Sequence, residues 1–201
     1  MRGQDQKGIH IRPVQLSDAE ALINILAPYI TQATVNFDDS VPALKDFQAK
    51  ITRITAAYPF LVALAQGTPV GYCYADRFRG QTAYDWAVET TIYLDAHWQG
   101  RGIGRRLYQA LEEALKRQHV LKLYACISAA HSQSVAFHHQ LGYQETARFR
   151  NVGYKMGEWL DILWMEKQLG PLPEKPLPFL PCKSLDMSEK PAKRAVPLAS
   201  G

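Results

Sequence analysis

Cysteine is scarce in this chain, and long apolar runs are missing. Cys73, Cys126 and Cys182 are the only thiols in 201 residues, odd in number, far apart and without metal-type spacing. That excludes a disulfide framework and a cysteine-held zinc site, and Cys73 and Cys126 read as small apolar fillers of strands. No stretch approaches the roughly 18 consecutive apolar residues that a membrane span needs, and Met1 to Gly8 carries no apolar leader segment, so a cytoplasmic protein away from membranes is expected. Charge runs are absent as well. The formal charge of +4 is spread along the chain, which speaks against a nucleic-acid partner and fits a basic pocket for an anionic ligand. No internal repeat is evident.

The composition, 47% hydrophobic and 21% charged, suits one ordinary domain with an appended tail. Ile9 to Val14 alternates as a strand. Ser17 is placed to cap a helix whose first turn holds Asp18 and Glu20 and whose apolar side runs from Ala21 to Tyr29. Val35 to Ser40 reads as a loop, and Pro42 to Ala57 as a helix with Leu44, Phe47, Ile51 and Ile54 on one side. Phe60 to Ala65 and Val70 to Asp76 make a hairpin around Gln66 and Gly67. Ala87 to Leu94 is a strand, Gly102 to Arg117 a helix, and Val120 to Ser128 a strand again. A short helix from Ser134 stops at Gly142, and Tyr143 to Val152 pairs with Trp159 to Gln168. This order predicts a mixed α/β (α+β) domain over 9–169, its sheet covered by helices on both faces. Seven prolines fall after Gly170. The sequence therefore predicts a disordered Pro/Lys-rich tail over 170–201, and residues 1–8 are expected to be flexible.

Chemistry concentrates in Glu89 to Leu94 and in the turn Gln99, Gly100, Arg101, Gly102, Ile103, Gly104 that opens the third helix. Glycines let a turn approach a bulky anion, and free N–H groups at a helix start hold negative charge. The spacing suits neither a dinucleotide fingerprint nor a P-loop, which would need a Lys-Ser or Lys-Thr pair.

Gln99-x-x-Gly102-x-Gly104 between a strand and a helix resembles the acetyl-CoA motif of the GNAT superfamily of N-acetyltransferases. Tyr84-Asp85-Trp86, Glu89 to Tyr93, His138 to Tyr143 and Gly153 to Asp161 are similar to segments of its phosphinothricin and methionine sulfoximine N-acetyltransferases. The resemblance runs from about Ile9 to Leu169. It implies a twisted, mostly antiparallel sheet with a splayed parallel pair, acetyl-CoA as co-substrate with no metal, and an amino-acid-like amine as acceptor. It also implies a homodimer, for which the strands near Trp159 and Trp164 could supply an interface or could equally be core.

The resemblance also assigns residues. Ile92, Tyr93 and Leu94 would pair with the pantetheine arm, and a backbone N–H at Tyr93 or Leu94 would hold the oxyanion. Gly100 to Arg105 would meet the pyrophosphate. Glu89 stands where the family has a general base, as an ammonium acceptor requires. His138 would either take the amine proton or give one to the leaving thiolate. Arg79, with Arg77, Thr90, Thr91, Phe37 and Trp86, would hold the acceptor, guanidinium suiting an anionic group. At His131 many relatives carry an asparagine that helps hold the coenzyme arm. A different small amine or peptide N-terminus as acceptor, and a non-catalytic acyl-CoA-binding module, are the alternatives.

Overall fold

The structure is a computed structural model that describes residues 8–184. The expectations for residues 1–7 and 185–201 lie outside the described residues. Among these, seven strands form one sheet in the order β1-β2-β3-β4-β5-β7-β6. The strands are β1 (Ile9–Pro13), β2 (Phe60–Ala65), β3 (Thr68–Arg77), β4 (Ala87–Leu94), β5 (Lys122–Ser128), β6 (Gln144–Lys155) and β7 (Glu158–Gln168). The helices are α1 (Ala19–Thr31), α2 (Leu44–Thr55), α3 (Ile103–Arg117) and α4 (Ser132–Gln140). No helix is long and apolar enough to cross a membrane.

Every residue of β2 is buried, as a strand covered on both faces must be. The side chains of β3 show which helix covers which face. Tyr72 meets Phe47 of α2 edge-on, and Lys50 of α2 stands over the Tyr74 ring. Between them, Cys73 points the other way and its Sγ reaches the Leu107 carbonyl of α3. Alternation along the strand thus sets α2 on one face and α3 on the other. Tyr29 of α1 packs on Tyr93, which packs on Tyr72, so α1 shares the α2 face. Phe137 of α4 packs on Tyr108, so α4 shares the α3 face.

Among the described residues the only parallel pair is β4 with β5, and it is short. Ala87, Val88 and Glu89 align with Lys122, Leu123 and Tyr124. Beyond Glu89 the strands part, leaving the edges of Thr90–Leu94 and Ala125–Ser128 that face each other without a strand partner across the gap. A sheet split in this way carries unpaired backbone donors and acceptors, which a ligand can complete.

Four expectations need correcting. Ser17 does not cap α1: a 3-10 turn over Leu16–Asp18 precedes it, and the Asp18 carboxylate accepts from Gln15 N–H at 2.7 Å and from Arg12 at 2.7 and 2.8 Å. Leu44 opens α2 but stays 45% exposed, because the inward stripe begins at Phe47. Cys126 is exposed and not a filler, since it lies where β5 has left β4.

The fourth concerns the tail, whose described part is seated on the domain. Leu180 N–H donates to Gln118 O at 3.1 Å and Cys182 N–H to Ala57 O at 2.9 Å. Trp86 Nε1 donates to Leu177 O at 2.7 Å, and His119 Nδ1–H to Pro178 O at 2.7 Å. Phe179 packs on Tyr58 with ring centroids 5.2 Å apart. The wholly buried Gln118 spans Ala57 O and Leu180 O with its amide nitrogen. Composition measures what a segment can bury by itself; here the domain supplies the partners, and proline lowers the entropy lost on ordering.

Candidate active site

The split between β4 and β5 opens to both faces of the sheet, and alternation sorts the residues of β4 between them. Asp76, Tyr74 and Tyr72 oppose Glu89, Thr91 and Tyr93 in register, so these three β4 residues lie on the α1/α2 face. Thr90, Ile92 and Leu94 face α3 and α4. Two lobes result. One, about 320 Å³, is walled by Phe37, Lys50, Tyr74, Glu89 and Thr91 and reaches through the split to Tyr108 and His138. The other, about 510 Å³, is walled by Tyr29, Ile92, Leu94, Gln99, Gly100, Gln133 and Phe137. His131 and Ser134 border both.

Glu89 stands at the junction, half-buried. Burial raises its carboxyl above the usual glutamate range. The Asp76 carboxylate opposite adds to the rise, and the Arg79 and Lys50 charges oppose it. Asp76 stays ionised despite burial: Arg53 holds it with bonds of 2.9 and 2.6 Å and the Arg77 N–H adds a third, which keeps its carboxyl below the ordinary range. A carboxylate with a raised pKa next to an open lobe is a stronger base than a solvated one.

His138 lies in the wall with both ring nitrogens engaged. Nδ1 is 2.8 Å from Ser134 O, and since a carbonyl only accepts, the proton sits on Nδ1. Nε2 then accepts from the Tyr108 hydroxyl at 2.9 Å. Burial pushes the imidazole down to about 4, against the lift from the Ser134 carbonyl, so it is neutral near pH 7. Burial also lowers His131.

The second lobe has the features an acyl-coenzyme needs. Gly100 and Gly102 take φ of +71° and +78°, a left-handed backbone that favours glycine. The first α3 amide to find a helical partner is Arg106, bonded to Gly102 O at 3.2 Å, so the N–H groups of Ile103, Gly104 and Arg105 point out of the helix start. Arg105 is exposed there, and Arg101 lies over the Trp98 ring. A Cβ on Gly104 would come within 3.1 Å of Phe137, which sets how closely α4 approaches the turn. Gln99 donates to Tyr29 OH, which donates to Leu94 O, tying the turn to α1 and β4. The turn, the splayed strand and an elongated lobe fit a thioester arm ending in a pyrophosphate.

A family model for an acetyltransferase (GNAT) domain matches residues 11–164. The chain belongs to the GNAT acetyltransferases. Among relatives of this GNAT chain, phosphinothricin N-acetyltransferase of Streptomyces viridochromogenes is 32% identical over 177 residues, 88% of this chain and 96% of that protein. The L-methionine sulfoximine/L-methionine sulfone acetyltransferase of Pseudomonas aeruginosa is 29% identical over 168 residues, 83% of this chain and 98% of that one. A GNAT phosphinothricin acetyltransferase from Sinorhizobium meliloti, solved with acetyl-CoA, superposes with a TM-score of 0.78 at 30% identity, covering 81% of this chain and 89% of that one.

The GNAT fold brings together most of the residues that the sequence singled out, and sets others apart. Phe37, Thr91 and Glu89 share the first lobe with His138, while Ile92, Leu94, Gln99 and Gly100 share the second. Tyr93 turns its ring into the aromatic core and accepts from Asn36 Nδ2 at 2.7 Å. Thr90 is buried, its hydroxyl donating to Tyr124 O and shared with Tyr108 and Tyr143. It also borders the first lobe, beside Thr91. Trp86 is held by the C-terminal segment, away from the cleft. Arg77 turns to Gly80 O, whereas the exposed Arg79 lies on Phe78, close enough for its charge to act on Glu89.

Four further participants were not singled out by the sequence. Tyr108, beside Leu107 on α3, is wholly buried and reaches the split with its hydroxyl on His138. Lys155 bridges the carbonyls of Asn36 and Asp38 at 2.6 and 3.0 Å, clamping the loop that carries Phe37. A Cβ on Gly153 would fall 2.2 Å from the Phe37 ring, so that wall is built around a glycine. Lys50 is the fourth, and its signal was readable: with Phe47, Ile51 and Ile54 it completes an i, i+3, i+4, i+7 stripe, a charge on an inward face.

Proposed function

We propose that this GNAT acetyltransferase moves the acetyl group of acetyl-CoA directly to the α-amino group of phosphinothricin, methionine sulfoximine or a similar amino-acid analogue. The observation that carries this reading is the placement of Glu89 where β4 and β5 part, in a lobe that also holds the Lys50 cation and that meets the lobe suited to a coenzyme arm at His131 and Ser134.

The Glu89 carboxylate takes a proton from the acceptor ammonium, directly or through one water. The freed amine attacks the thioester carbonyl carbon. A backbone N–H of β4 beyond Glu89 holds the oxyanion. The C–S bond then breaks, coenzyme A thiolate leaves with the proton shed by the attacking nitrogen, and Glu89 returns its own proton to solvent. His138, neutral and with its lone pair occupied by Tyr108, acts as a positioning residue that fixes the Tyr108 hydroxyl beside the reacting atoms. No cysteine is needed: Cys73 is buried with its thiol pushed far up by desolvation.

The test is release of free thiol from acetyl-CoA by the pure protein with each of a set of amines. Phosphinothricin or methionine sulfoximine is expected to accelerate release well above polyamines and peptide N-termini; no acceleration by any amino-acid analogue refutes the assignment. Cytoplasmic location goes with an acetyl-CoA-dependent reaction. A homodimer is supported by the β6–β7 hairpin, where Phe149, Tyr154 and Trp159 are 50%, 62% and 65% exposed. Sedimentation at micromolar concentration reads it directly, and a monomer there refutes it.

A further inference from the structure

Lys50 is a half-buried cation with no assigned task. It projects from α2 into the first lobe, its Nζ 4.8 Å from the centroid of the Tyr74 ring. Among the described residues it makes no hydrogen bond or ion pair, although Asp76 and Glu89 lie on the same face. Asp76 is already taken by Arg53. Holding an ammonium over an aromatic ring costs side-chain freedom and part of its hydration, a cost that an anionic partner in the lobe offsets. A second feature of the same cleft also calls for a ligand: the Ser128 hydroxyl is buried, borders the lobe and has no partner.

Charge counting then bears on the acceptor. The junction supplies one carboxylate, Glu89, for an ammonium, and two cations around it. Lys50 enters the lobe from α2, whereas Arg79, exposed on the β3–β4 loop, stays outside the lining and acts on Glu89 through its charge. An α-amino acid with a neutral side chain satisfies the carboxylate and one cation. One with an acidic side chain, a phosphinate or a second carboxylate, satisfies all three.

Building on the reading under Proposed function, we infer that Lys50 is a specificity-determining residue that pairs with an acidic group on the acceptor side chain and selects dianionic amino acids over those with neutral side chains. Tyr74 fixes the ammonium laterally, and the α2 backbone fixes its height above the sheet. Arginine in its place keeps the charge, whereas methionine keeps most of the packing and removes it.

The experiment compares kcat and KM for phosphinothricin, which carries an anionic side chain, and methionine sulfone, which does not, in wild type, Lys50→Met and Lys50→Arg. The wild type is expected to favour phosphinothricin. Lys50→Met is expected to raise KM for phosphinothricin at least about tenfold, with kcat, KM for acetyl-CoA and KM for methionine sulfone little changed. Lys50→Arg is expected to restore most of the preference. A kcat/KM ratio between the two amines that is the same in Lys50→Met and wild type overturns the inference, as does an equal loss on both amines, which would mark a packing role. Absence of turnover on either amine in the wild type would instead overturn the acceptor class, and this inference with it. Thermal melting of each variant separates misfolding from lost recognition.

Discussion

Glu89→Gln is expected to lower kcat by about two to four orders of magnitude while leaving KM for acetyl-CoA nearly unchanged. The amide has the size of the carboxylate but cannot take a proton, and Glu89 is not among the residues that wall the coenzyme lobe. The pH profile supplies a second signature. Burial and the Asp76 carboxylate raise the Glu89 carboxyl above its ordinary range. The base must be ionised to act, so wild-type kcat/KM falls as pH drops through that raised value, and the acid limb lies higher than a solvated glutamate would place it. The residual activity of Glu89→Gln is expected to lack that limb. Steady-state kinetics from pH 5 to 9 checks both statements; undiminished turnover in the variant would remove Glu89 from the mechanism.

A chain ending at Leu169 is expected to be less stable by about 3–5 kcal/mol, a fall in Tm of roughly 10 °C. Truncation strips Phe179 from Tyr58 and removes the partner of Trp86 Nε1. It also leaves Gln118, wholly buried in the intact fold, short of Leu180 O. These contacts sit where β4 begins, at the end away from the split, so KM for acetyl-CoA is expected to stay within about twofold of the full chain, a small change on the free-energy scale of binding. Differential scanning calorimetry of the two chains decides it. An unchanged Tm would mean that the segment contributes nothing, as a disordered tail would.

How much of this was legible in the sequence depended on whether the governing interaction was local. The strand Ala87–Leu94 was read with both boundaries as observed, because alternation and flanking turns are encoded within a few residues. The glycine turn was readable for the same reason. Thr90 and Thr91 were read as a pair of acceptor hydroxyls; adjacent strand residues face opposite sides, and although both border the first lobe, only the register with β3 shows that Thr90 also joins the buried network with Tyr108. Trp86 was read as a pocket wall because its partner, Leu177 O, lies 91 residues away. The described part of the tail, 170–184, was misread on the same grounds. His138 was found by resemblance, but its tautomer and its tie to Tyr108 come from packing between α3 and α4 that no spacing encodes.

In the proposed reaction acetyl passes directly from thioester to α-amine. The most direct measurement incubates the pure protein with acetyl-CoA and phosphinothricin and follows product, coenzyme and protein by mass spectrometry. The expected result is α-N-acetylphosphinothricin formed in equal amount to free coenzyme A, with the protein's own mass unchanged throughout. Acetyl found on the protein before the amine is added, or thioester consumed without acetylated amine, would contradict it.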